Sequence, residues 1–93
     1  MTPFEKTLNT CKNLIHNKKN IILLGTGNNG KTYLINTLES ENYLKNYTIF
    51  HEFPINTNIL SNPYITCIHN INDAKNLDPD SFTLINTNHI FYH

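Results

Sequence analysis

The sequence has no arginine and no tryptophan, so all seven of its positive side chains are lysine. Seven acids balance them, and the formal net charge is zero. Strong autonomous binding to nucleic acid or to an acidic membrane needs clustered positive charge, and this balance argues against both. Without arginine the chain also lacks the planar fork that grips phosphate bidentately. Cysteine is scarce: Cys11 and Cys67 lie far apart, with no C-x-x-C pair. They could form one disulfide, but nothing suggests secretion, and reduced thiols in an intracellular protein are expected. No stretch approaches the ~18 apolar residues of a membrane span. The N-terminal MTPFEKTLNTCKNLIHNKKN has no apolar run of signal-peptide length. Glycine is the most informative scarcity, because all three glycines, Gly25, Gly27 and Gly30, fall within one eight-residue stretch.

The 93 residues suit a single domain, 1–93, with no repeat and no linker. Asn is the commonest residue and Ile the next; with Lys and Tyr they are the residues an AT-rich genome tends to encode. Asn is interleaved with Ile, Leu, Tyr and Phe, which favours a folded chain over a disordered tract. Thr2, Pro3 and Glu5 spell a helix start: N-cap, first-turn proline and capping box. Phe4, Leu8, Cys11 and Leu14/Ile15 continue at helical spacing, predicting a helix at about 3–17, with Lys18 and Lys19 at its negative end. IILL (21–24) is a short continuous apolar run and reads as a buried parallel strand. Leu34, Ile35 and Leu38 share a helical face, predicting a second helix at about 31–43. YTIF (47–50), YITCI (64–68) and FTLI (82–85) read as strands, with Pro54, Pro63 and Pro79 between them. Segments 56–61 and 73–78 suit helical turns. The expected fold is a minimal three-layer α/β domain around a mainly parallel sheet of four to five strands.

Residues 25–32 read GTGNNGKT. The spacing Gly25-x-x-x-x-Gly30-Lys31-Thr32 is the complete phosphate-binding-loop pattern, and it stands where that pattern requires, after a strand and before a helix. Each part has a physical task. Glycine permits positive φ and close backbone approach. The expected binding stretch is Gly25, Thr26, Gly27, Asn28, Asn29, Gly30, Lys31 and Thr32; within it, backbone N–H groups of about Gly27 to Thr32 can surround a β-phosphate, helped by the positive helix end. Lys31 brings a point charge to the β- and γ-phosphates, and the Thr32 hydroxyl is a hard oxygen ligand for Mg²⁺. The bland alternative is a glycine-rich strand-to-helix turn with an accidental Lys-Thr.

GTGNNGKT followed by YLINTL resembles Walker A of superfamily-3 helicases, the replication helicases of small DNA viruses and the primase-helicases of large ones. SFTLINTNHI (81–90) resembles the third motif of that family, an apolar strand ending in Thr-x-Asn or Thr-Asn. NYTIFHEFPIN (46–56) faintly resembles the stretch after Walker A in parvovirus-type replication proteins. The resemblance implies a P-loop NTPase of reduced size that binds a nucleoside triphosphate, with ATP expected, together with Mg²⁺. It implies that Asn88, beside Thr87, senses the γ-phosphate and helps position the attacking water. It also implies a sheet with IILL beside FTLI, YITCI next and YTIF outermost, and a site in the cytoplasm of a virus-infected cell.

Three features depart from the family pattern. The acidic pair expected after YITCI is replaced by His69 and Asn70, leaving Asp73 and Glu52 as candidates for magnesium binding or water activation. Their ordinary roles would be a helix N-cap and a solvated loop charge. The arginine that completes each site is missing and lysine would be a poor substitute, so the chain is expected to work within a homo-oligomer or with a partner protein that supplies the arginine. Only a short segment separates YITCI from FTLI, leaving little room for a DNA-contacting hairpin, so direct nucleic-acid binding is not expected. Nucleotide binding with weak or partner-dependent hydrolysis is the leading expectation, with catalytic roles for Lys31, Glu52, Asp73 and Asn88. A non-catalytic nucleotide-binding regulatory or assembly module is the alternative, and a small nucleotide kinase lacks room for a lid. Zinc at Cys11, His16, Cys67 and His69 has poor spacing, and His89 and His93 flank an extended-looking IFY.

Overall fold

The computed structural model describes residues 2–25, 30–53 and 63–88. The expected turn at 56–61 and the histidines His89 and His93 lie outside them. In chain order the elements are helix α1 (Pro3–His16), strand β1 (Ile21–Leu24), helix α2 (Lys31–Ser40), strands β2 (Thr48–Phe50) and β3 (Tyr64–Ile68), two 3-10 turns (Ile71–Ala74 and Pro79–Ser81), and strand β4 (Thr83–Asn86).

α1 begins as its sequence dictates. The Thr2 hydroxyl accepts from the Glu5 backbone N–H at 3.1 Å and donates to the Glu5 carboxylate at 3.2 Å, with Pro3 in the first turn. α1 ends about where expected and α2 stops three residues before the expected bound, both by the same device. Lys18 (φ 58°) and Asn42 (φ 63°) take the left-handed conformation. Behind them, Lys19 N–H donates to the Leu14 carbonyl and Tyr43 N–H to the Leu38 carbonyl, each at 2.9 Å. This is the two-bond helix stop that usually uses glycine.

The four strands are all parallel, in the order β2-β3-β1-β4. IILL lies beside the last strand and β2 stands outermost, as expected. YITCI, however, meets IILL directly on its other side, so among the described strands the last one is itself an edge. In register, Leu24 stands opposite Ile68 and Asn86, so β1, β3 and β4 end level with one another.

Alternation along the strands divides the core. Ile21, Leu23 and Ile65 pack with Cys11 and Ile15 of α1 and with Leu34, Ile35 and Leu38 of α2 on one face. Ile22, Tyr64 and Ile68 pack with Ala74 on the other, joined by Phe50, Phe53, Leu77 and Phe82. Both α-helices thus lie on one face, and the described cover of the opposite face is made of 3-10 turns and loop residues. The chain moves one way along the sheet through α2 and the other way through the 3-10 turns. Opposite directions on opposite faces are what parallel crossovers of one hand require.

Two hydrogen-bonded clips hold the sheet at its ends. At the start of β1, Asn20 Oδ1 accepts from Tyr64 N–H at 3.0 Å, its Nδ2 donates to the Ser81 carbonyl at 2.9 Å, and its carbonyl accepts from Thr83 N–H at 2.8 Å. At the far end, the Leu24 carbonyl accepts from both the backbone N–H (2.8 Å) and the hydroxyl (3.0 Å) of Thr87, which is fully buried. No helix among the described residues is long and apolar enough to cross a membrane.

Candidate functional site

The site is built at the level ends of β1, β3 and β4, where loops leave the sheet on its carboxyl side. Open parallel sheets bind ligands in this position. Gly25 continues the β1 ladder one step, donating its N–H to the Ile68 carbonyl at 3.1 Å, and is buried. At the other end of the GTGNNGKT stretch, Gly30 has φ 93° and ψ 0°, a left-handed geometry that costs any residue with a Cβ about 1–2 kcal/mol. It caps α2 with no side-chain hydrogen bond, and the first turn of α2 contains no acid. α1 is different: Thr2 and Glu5 occupy its positive end. Thr26, Gly27, Asn28 and Asn29 lie outside the described residues.

Lys31 is the first residue of α2 and is only 6% exposed. Its ammonium donates to the Gly25 carbonyl at 2.5 Å, tying the two described ends of the loop together. An ammonium so deeply placed needs acceptors, because burial of an unpaired charge costs several kcal/mol. The helix-side position of Lys31 also sets it near Cys67 of β3. Burial pushes the Cys67 thiol up, and the Lys31 charge pulls it partly back. Sequence reasoning gave Cys67 no role at the loop. Its place beside the lysine follows from the strand order, which no local pattern announces.

Thr32 is exposed at the second position of α2. Magnesium that arrives with a nucleotide takes most of its oxygens from phosphate and water, so one protein hydroxyl suits it. Among the described residues there is no group of three or more His, Cys, Asp or Glu side chains that could hold a metal. The donor set therefore fits a cation carried in by a ligand better than one caged by protein.

The remaining candidates are spread out. Asn88 follows β4, and its N–H donates to Asn86 Oδ1 at 2.9 Å. It is anchored next to the loop root by the Thr87 clamp on Leu24. Glu52 is exposed just after β2, and β3 intervenes between β2 and β1, so at ~4.8 Å per strand it starts roughly 10 Å to the side. Asp73 is exposed within the first 3-10 turn, whose Ala74 is buried on the face opposite α2. The cap of that turn is Asn70, whose side chain accepts from Asn72 N–H at 2.9 Å, so Asp73 is not the N-cap its sequence suggested. The structure thus brings Gly25, Gly30, Lys31, Thr87 and Asn88 to one end of the sheet, with Glu52 to the side and Asp73 in a turn of the opposite layer. Compared with known proteins, the chain matches no family model, no curated protein and no solved structure.

Proposed function

We propose that the chain binds a nucleoside triphosphate with Mg²⁺ through Gly25–Thr32, and that hydrolysis by the chain alone is weak or depends on a partner. The observation that carries this reading is the lysine of a complete phosphate-loop pattern folded back, almost buried, over the root of its own loop. The α2 N-terminus beside it carries no side-chain cap and no first-turn acid, so the positive end of the helix suits an anion. In the bound state Lys31 would exchange the Gly25 carbonyl for phosphate oxygens, the Thr32 hydroxyl would offer an oxygen to Mg²⁺, and Asn88 would face the terminal phosphate. Mg²⁺ would supply charge neutralisation at the phosphates. That the core is a reduced, viral type of helicase rests on the two sequence motifs alone.

A non-catalytic nucleotide-binding module is the second reading. It is favoured by the absence of arginine, by the lateral position of Glu52, and by the place of Asp73 in the opposite layer. Turnover by Glu52→Gln and Asp73→Asn separates the two: loss of hydrolysis with binding intact supports an enzyme, and no hydrolysis to lose supports the module.

The primary test is thermal unfolding with Mg²⁺-ATP and Mg²⁺-GTP for the wild type and Lys31→Ala. A ligand at 100 times its Kd stabilises by about 2.7 kcal/mol, several degrees for a domain of this size. The shift should appear in the wild type and vanish in Lys31→Ala. No shift at millimolar nucleotide would reduce GTGNNGKT to a turn.

A further inference from the structure

Tyr33 directly follows Lys31-Thr32 and is the most exposed large hydrophobic residue among those described, at 59%. Its ring meets Phe4, with centroids 5.1 Å apart and planes inclined at 51°. This contact joins the first turns of α1 and α2. Lys12 further along α1 reaches Glu41 at 3.1 Å and the Tyr43 ring at 5.0 Å, both past the end of α2. The two helices therefore run parallel, and both start at the carboxyl end of the sheet. Phe4 and Tyr33 form an aromatic ledge there. Tyr33 is only ~3 Å along the helix axis from Lys31, on the exposed side of the same turn.

We infer that the Phe4–Tyr33 ledge is a base-stacking subsite, on which the base of a nucleotide lies while its phosphates occupy the loop. The inference rests on the nucleotide reading above and deepens it. An exposed ring beside a phosphate site presents a π-face to any base. Stacking contributes to affinity without reading hydrogen-bond edges, so the site discriminates little between purines. Phe4 backs the tyrosine from one side and fixes its tilt, which reduces the ordering cost when a base arrives.

The test is calorimetric titration of ATP, GTP and bare tripolyphosphate, each with Mg²⁺, into the wild type, Tyr33→Ala and Tyr33→Phe. Tyr33→Ala should weaken ATP and GTP alike, by roughly fivefold to a hundredfold, and leave tripolyphosphate unchanged. Tyr33→Phe should bind as the wild type does. Unfolding of the three proteins without ligand shows whether the alanine variant is folded. If it is not, the intermolecular NOEs expected in the wild type between Tyr33 ring protons and the base decide the matter, and their absence overturns the inference. Equal weakening of tripolyphosphate and nucleotides, or no weakening of either, also overturns it. A wild type that binds tripolyphosphate and nucleotides equally well denies a base subsite while leaving the phosphate cradle standing. A wild type that binds none of them removes the nucleotide reading and the subsite together.

Discussion

At the scale of single residues, the chain places a glycine at the left-handed position before α2, Gly30, and accepts strain elsewhere. Lys18 and Asn42 hold left-handed conformations that glycine would adopt without penalty. Lys18→Gly should therefore raise stability, by about 0.5–1 kcal/mol once the larger unfolded-state entropy of glycine is deducted. The readout is an increase of a few degrees in Tm. The same scarcity made the loop visible in the sequence: a composition poor in glycine placed all three within six positions. The two left-handed helix stops were not visible, because lysine carries no such signal and asparagine is too common in this chain for one to stand out. Cys11 supplies a second prediction. Burial pushes its thiol up to about 12 from 9.0. A folded-state value above the unfolded one means that burial of the neutral thiol stabilises fully below pH 9, and that this stability is lost as pH rises toward 12. Denaturant midpoints measured from pH 8 to 11 should fall, and the fall should be smaller in Cys11→Ala, measured against its own value at pH 8.

At the scale of elements, IILL was legible as a buried strand because both its faces are apolar, and the structure covers both. Its place between β3 and β4 was not, because a continuous apolar run says that a strand is enclosed and not by which neighbours. Asn20 was equally silent. In a sequence where asparagine is commonest, nothing marks the one that joins three strands at their starts. Asn20→Ala removes the acceptor of Tyr64 N–H and the donor to the Ser81 carbonyl. It should cost about 1–2 kcal/mol, read as a lower urea midpoint with an unchanged slope. For the candidate site, the sequence announced the loop and its lysine through spacing, whereas Glu52 and Asp73 were chosen by proximity to strand ends. Which strand lies next to β1, and which face each connection takes, decides their relevance, and both are long-range properties.

At the scale of the whole molecule, one strand belongs to both halves of the core. Ile21 and Leu23 face the helices, while Ile22 faces the opposite layer, and all three are fully buried. Leu23→Ala should cost about 2–5 kcal/mol, a large share of the ~5–15 kcal/mol that holds a domain together. The variant should unfold at a markedly lower temperature, and saturating nucleotide should recover part of the loss if the loop binds as proposed. The parallel order has a further consequence for how the protein is made. Both neighbours of β1 come from the distant part of the chain, Ile65 onward on one side and Thr83 onward on the other. A growing polypeptide carries both helices and the whole GTGNNGKT stretch long before either flank exists. Such pairings are slow to form because chain closure must precede any gain. A product halted before Thr83 would retain every residue of the phosphate motif and yet leave the Leu24 carbonyl without the clamp that Thr87 provides. The clamp that secures the root of residues 25–32 thus comes from a segment made only after every residue of that stretch.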